Sequence, residues 1–268
     1  MFSRQSLRVA ITCGHEVQSE NTSELSKLLN SLPDKANTAK SSLIATTSLP
    51  SRAFFTLPYS VNYAALTLKG VPYTHADSGV LRVLAKFIDQ KRIHPEIREK
   101  GGAYGGSARF KPLEGIISFT SYRDPSFERT LEIMRDAGQW MTQQKISDDM
   151  LDEMKLSIFK DIDSPISVQQ EGMQQFMHGI TPEIKQMYPL FKATLTFRWR
   201  ERTLAVTADR VQEAAQKYLV EPSAKGSTSE AVLGEINETI MKSPNWEKFD
   251  FDLSIGEEPE EVSEAVPA

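Results

Sequence analysis

The sequence predicts an α+β fold, a layer of antiparallel or mixed strands with helices grouped beside it. Three observations predict it. Period-two stretches rich in β-branched and aromatic residues gather in the first half of the chain, around one strongly amphipathic helix, while helical patterns dominate the second half. No regular strand–helix–strand alternation and no internal repeat is present. The length of 268 residues, with 40% apolar and 25% charged residues, suffices for a sizeable core in one large domain or two small ones.

Taken in order, Leu7, Val9 and Ile11 alternate and predict an opening strand, Leu7 to Thr12. Arg4, Arg8 and the absence of acids before Glu16 give the start only a faint likeness to an organelle transit segment. Asn21, Thr22 and Ser23 offer caps for a helix through Leu25, Leu28 and Leu29. Pro33 to Ser42 is polar and reads as a loop, and Leu43 to Thr47 as a short strand. Arg52 to Leu57 and Tyr59 to Leu68 predict two more strands, the second alternating through Tyr59, Val61, Tyr63, Ala65 and Thr67. Asp77 or Ser78 caps a helix whose apolar face carries Val80, Leu81, Leu84, Ala85, Phe87 and Ile88. Pro95 lacks an N–H and constrains its predecessor, so it predicts a break and a short new helix carrying Glu96, Ile97 and Arg98.

Ala108 to Phe110 and Gly115 to Tyr122 read as paired strands about the turn Lys111 to Gly115. Asp124 as N-cap and Pro125 as first residue start a helix through Phe127, Leu131, Met134 and Met141. Ser147 or Asp148 starts the next, with Met150, Leu151, Met154 and Ile158, ending at Ser164-Pro165. Val168 to Ile180 has helical spacing interrupted by glycine, and Thr181-Pro182-Glu183 is a further helix start. Thr207 to Tyr218 is another helix, with Val211, Ala214, Ala215 and Tyr218 on one face, and Glu230 to Leu233 a final strand. The chain then turns acidic: residues 1–246 read as one domain and 247–268 as an acidic, disordered tail.

Several chemistries are excluded. A formal net charge of −5 leaves no basic surplus for a phosphate backbone, so nucleic acid is a poor partner. The single cysteine, Cys13, allows no disulfide within the chain and reads as a small apolar residue near a strand end. No apolar run approaches the roughly 20 residues of a membrane span. His15, His75, His94 and His178 never pair at i, i+4, and neither H-E-x-x-H nor H-x-x-E-H occurs, so no metal site is expected within this chain. The Gly-rich stretch 101–106 enters a strand instead of a helix, which excludes a phosphate loop and a dinucleotide fingerprint, and no G-x-S-x-G elbow is present.

The stretch Arg98-Glu-Lys-Gly-Gly-Ala-Tyr-Gly-Gly106 remains. Arg98 offers an always-charged planar fork and Tyr104 a hydroxyl, and Gly101, Gly102, Gly105 and Gly106 let the backbone bend between and beyond them. Such a pair can hold a peptide carbonyl or a developing oxyanion. Read locally, it can equally be an arginine paired with Glu96 or Glu99 and a packed aromatic.

His94-Pro-Glu-Ile-Arg-Glu-Lys-Gly-Gly-Ala-Tyr-Gly-Gly106 followed by Ser121-Tyr-Arg-Asp-Pro125 resembles the C-terminal part of the presequence proteases, the mitochondrial peptide-degrading branch of the pitrilysin-type zinc metallopeptidases. Leu57 to Tyr63, Val71 to Thr74, Leu156 to Phe159 and Gly172-Met173 are similar too, so the resemblance runs from about Leu7 to Trp246. It implies a two-layer α/β sandwich, a largely antiparallel sheet with helices packed on one face. It implies that Arg98 and Tyr104 bind substrate, with the four glycines as the supporting loop. It places the catalytic Zn2+, its ligands and the general base in N-terminal domains that this chain does not contain, so that no catalytic residue lies here and the chain alone is inactive. The implied activity is ATP-independent endopeptidase cleavage of mitochondrial targeting peptides and other unstructured peptides. The implied partners are the zinc-bearing domains and unfolded peptides, in the mitochondrial matrix or intermembrane space. The alternative is a non-catalytic structural or peptide-holding subunit of the same fold family.

Overall fold

In the computed structural model the described residues are 4, 7–34, 50–163, 165, 167, 173–178 and 201–250. Their contacts fall into two compact units, one formed by Met1–Leu49 with Lys155–Ala205 and the other by Pro50–Met154 with Val206–Ala268. In the first unit, a short 3-10 turn at His15–Val17 leads into helix α1 (Gln18–Ser31). This helix starts earlier than Asn21–Ser23 predict, and those residues lie within its first turns. The expected strand at Leu7–Thr12 does not form, and Val9 and Ile11 are exposed: alternation without a partner strand makes no ladder. The strand expected at 43–47 and the helix start at 181–183 lie outside the described residues.

The second unit is built on a six-stranded sheet. Its strands are β1 (Arg52–Thr56), β2 (Tyr63–Lys69), β3 (Gly105–Lys111), β4 (Ile116–Tyr122), β5 (Thr228–Gly234) and β6 (Glu247–Asp250), in the order β3-β4-β2-β5-β1-β6. The pairs β3/β4, β4/β2 and β2/β5 are antiparallel, whereas β1 runs parallel to both β5 and β6. The sheet is therefore mixed at one end. Strand β6 corrects the reading of 247–268 as tail at its beginning: Glu247 to Asp250 register with Ala53 to Thr56, and the Phe249 and Phe55 rings stack 5.0 Å apart.

One face of the sheet is covered. Phe54, Ala64, Leu66, Leu68, Ile117, Phe119 and Val232 are buried, each large side chain contributing roughly 1.5–3 kcal/mol. On β2 the buried residues are Ala64, Leu66 and Leu68, so the alternation through Tyr63, Ala65 and Thr67 marks the other face. The cover includes α2 (Ser78–Ile88) and α3 (Phe127–Thr142), whose Phe127 ring lies 6.2 Å from Phe54. Helix α4 (Asp148–Asp163) is capped by Ser147, whose hydroxyl accepts from the Met150 N–H. Later in the chain, α5 (Met173–His178) belongs to the first unit, and α6 (Ala208–Ala215, capped by Thr207), a π-helical extension (Gln216–Val220), α7 (Glu221–Ala224) and α8 (Glu238–Lys242) to the second. Among the described residues no helix is long and apolar enough to cross a membrane.

Pro95 does not break the helix as predicted. Helix α2 continues as a π-helical segment, Asp89–Glu99, with Pro95 inside it. The wider turn carries bonds such as Lys100 N–H to the Pro95 carbonyl, 3.0 Å, and accommodates a residue that an α-helical ladder rejects. Ile93 and Ile97 stay fully buried through this stretch. Asp89 donates no cap; its carboxylate accepts the Ala108 N–H at 2.8 Å, satisfying one group on the outer edge of β3. Burial pushes the Asp89 carboxyl above its usual range, more than that hydrogen bond and the neighbouring cations lower it.

Candidate functional site

Arg98 closes the π-helical segment and Tyr104 precedes β3, so both lie at one end of the sheet layer. The turn between them is closed by its own backbone. Gly102 adopts φ 77°, and the N–H groups of Gly102 and Ala103 return to the carbonyls of Arg98 (3.2 Å) and Ile97 (3.1 Å), which satisfies helix-end acceptors. A Cβ on Gly101 would lie 2.5 Å from the Ile97 carbonyl oxygen, and one on Gly106 3.1 Å from methyls of Ile93 and Ile97. Three of the four glycines are thus required by the turn and by the close approach of helix and strand. Gly105 is not, because a Cβ there meets only Tyr122 at 3.9 Å. The turn is tied to α3 by Arg129, which donates to the Glu96 carbonyl at 2.8 Å and to its carboxylate at 3.2 Å. A hydrogen bond from Lys100, opposed by partial burial and helped by nearby cations, holds the Glu96 carboxyl below its usual range.

With Glu96 held by Lys100 and Arg129, it is not Arg98's partner. Nor is Glu99, which lies 3.2 Å from His94 Nδ1. Arg98 contacts the other imidazole nitrogen, Nε2, at 3.3 Å. His94 thus stands between Glu99 and Arg98, one ring nitrogen toward each, and the donor in each contact depends on the tautomer. Arg98 is exposed, and among the described residues it forms no ion pair with a carboxylate.

Tyr104 is 70% exposed, and among the described residues its hydroxyl has no hydrogen-bond partner. Its N–H donates to the Arg123 carbonyl at 3.3 Å. Its ring meets the edge of Tyr122 at 5.8 Å and 67°. Tyr122 in turn meets Tyr63 at 5.3 Å, and Tyr63 meets Tyr59 at 6.1 Å. Within Ser121-Tyr-Arg-Asp-Pro125, sequence gives Asp124 and Pro125 a helix-start role and Tyr122 none; the pairing of β3 with β4 puts Gly105 opposite Tyr122 and brings it beside Tyr104. Asp124 does not cap α3 directly: it accepts from the Ser126 N–H at 2.9 Å, and Ser126 is the N-cap.

A second ionisable cluster gathers around Asp77. Asp77 sits at the start of α2, where it accepts from Arg210 (2.8 Å), Lys217 (3.0 Å) and the Tyr218 hydroxyl (2.7 Å) without capping the helix. Burial alone would raise the Asp77 carboxyl; the bonds from Tyr218 and Lys217 and the charges of Lys217 and Arg210 together outweigh it and hold it low. Burial and the Asp77 carboxylate raise the Tyr218 hydroxyl. Among the described residues no cluster of three or more His, Cys, Asp or Glu could hold a metal ion. His15, near Gln18, and His75, accepting the Asp77 N–H, are engaged locally. The described residues therefore do not fit a zinc site.

A family model described as the PreP C-terminal domain matches residues 52–195, a span that contains β1, the glycine turn and Tyr122. The chain belongs to this family. It is 44% identical over 229 residues to the mitochondrial presequence protease of Gibberella zeae, covering 85% of this chain and 22% of that protein. It is 41% identical over 195 residues to the one from Xenopus laevis, covering 73% of this chain and 18% of that one. The chain spans about a fifth of the length of the curated relatives it matches. Among solved structures, a protease from Helicobacter pylori superposes with a TM-score of 0.51 over 81% of this chain and 53% of that one, at 17% identity. A peptidase M16 inactive domain from Pseudomonas fluorescens gives 0.50 over 69% and 44%, at 18% identity. The PreP C-terminal fold of this chain is thus the α/β architecture shared with M16-type peptidase domains.

Proposed function

We propose that this chain is the substrate-binding C-terminal domain of an ATP-independent zinc metalloendopeptidase that degrades targeting peptides and other unstructured peptides in mitochondria. Arg98 and Tyr104 contact the peptide. The observation that carries this reading is the state of those two groups: a guanidinium with no carboxylate partner among the described residues and an exposed hydroxyl, held at the two ends of one backbone-locked turn. Arg98 can donate its planar fork to a peptide carbonyl, and Tyr104 can add a second donor from the strand side. Neither takes or delivers a proton in this role; they orient the backbone and place donors where negative charge grows. Zinc and its ligands would belong to other parts of the full protease, which would also form the rest of the peptide site. The folded domain would take in residues 1–246 and β6, with the acidic stretch after it.

The test is in a full-length protease carrying this domain. Tyr104→Phe removes only a hydroxyl, and Arg98→Ala removes the fork with its aliphatic stem. Each should lower kcat/KM for an unstructured peptide by about 10²–10³ with the fold intact. Undiminished cleavage in both variants would remove the site. Cleavage of the same peptide by this chain alone would show that the domain is not merely a substrate-binding part.

A further inference from the structure

Resting on Tyr104 as a peptide contact, we infer that Tyr122 is a positioning residue that acts through it. The inference comes from how little else holds the Tyr104 ring. It is 70% exposed, and its hydroxyl is unpaired among the described residues, so a free side chain there would sample several rotamers. Two things oppose that. The Tyr104 N–H is bonded to the Arg123 carbonyl, and the ring abuts the Tyr122 ring edge-on at 5.8 Å. An edge-to-face pair in this range has a defined attractive geometry.

Tyr122 is well placed to act as the fixed member. It ends β4 in the sheet interior order, paired with Gly105 across the β3 ladder. It also pairs edge-to-face with Tyr63, which stands on β2 in register with Leu233 of β5. Immediately after it the chain is pinned again. Asn62 and Asp124 exchange backbone hydrogen bonds at 2.9 and 2.8 Å, and the Asn62 side-chain amide adds a third to the Asp124 carbonyl at 3.1 Å. Between the two pins Arg123 is forced to φ 51°, the left-handed value taken by no other non-glycine residue among those described. That corner turns the Arg123 carbonyl toward the Tyr104 N–H. The motif Ser121-Tyr-Arg-Asp-Pro125 thereby supplies both restraints on Tyr104, one to its backbone and one to its ring. Tyr122 remains 51% exposed, so its side chain serves no buried core.

The experiment is a double-mutant cycle in the full-length protease, read as kcat and KM separately. Tyr122→Ala should lower kcat/KM by about three- to tenfold, mostly in kcat, while Tyr122→Phe, which keeps the ring edge, should stay within about twofold. On a Tyr104→Ala background, Tyr122→Ala should cost less than about twofold, because the ring it positions is gone. Full additivity of the two losses would overturn the inference, as would an unchanged Tyr122→Ala enzyme whose Tyr104→Ala counterpart is impaired. If Tyr104→Ala itself leaves cleavage intact, the peptide-contact reading fails and the inference falls with it. Thermal unfolding of Tyr122→Ala should match the parent, and a large drop in Tm together with rescue of activity at low temperature would assign Tyr122 to stability instead.

Discussion

Two arginine sites in this domain differ in what they leave unspent. At β5, Glu230 is 3% exposed and saturated: Arg135 grips it with two bonds of 2.7 and 2.6 Å, and Arg52 approaches at 3.2 Å. The hydrogen bond to Glu230, against some burial, raises the already high Arg135 value further. At the glycine turn, Arg98 faces solvent and, among the described residues, touches the His94 imidazole and no carboxylate. The same side chain is a structural strut in one place and an unengaged donor in the other. The difference lies in whether an acid was placed within reach. Around Arg98 the acids are present in sequence, yet Glu96 is drawn off by Lys100 and Arg129 and Glu99 by His94.

The comparison can be broken at three points. Glu230→Ala leaves two part-exposed arginines without their acid, and should cost about 2–3 kcal/mol of unfolding free energy in urea melts; a loss near zero would make Glu230 no strut at all. Asp77→Asn probes an intermediate case, a buried carboxylate whose cations are half in solvent. It should cost about 1–2 kcal/mol at neutral pH. The sign with pH follows from the lowered value of Asp77: its contribution is complete above the unfolded aspartate range near pH ~4. It is lost as pH falls through the lower folded value, so parent and variant stabilities should converge in acid. The smallest effect is expected at Arg98→Ala, within about 0.5 kcal/mol of the parent in the same melts. A loss of stability comparable to that at Glu230 would mean that Arg98 serves the fold.

Much of this architecture was legible in the residues. The β3–β4 hairpin and α2 were written in alternation and in one apolar face, and the expected turn Lys111–Gly115 lies between the two strands. Strand β2 is legible as a strand but its buried face is not, because Tyr63, Ala65 and Thr67 are as strand-like as Ala64, Leu66 and Leu68 and only packing decides between them. Strand β6 was hidden by acidic composition: as an edge strand it pairs only with β1 and has few apolar residues to show. At the candidate site, Arg98, Tyr104 and the glycines stand out by type and spacing. The contact of His94 with Arg98 and of Tyr122 with Tyr104 does not, since one depends on which acids are already occupied and the other on strand register.

The π-helical passage through Pro95 also sets a clock. Its wide turns fix the angle at which each residue leaves the axis, while the buried stripe of α2 fixes where that count begins. A single residue gained or lost between Asp89 and Ile97 would turn the buried Ile97 off its core position and Arg98 with it, so one residue count both seals the core and aims the arginine. Chain length in these eleven positions is therefore a variable as consequential as the identity of the arginine itself.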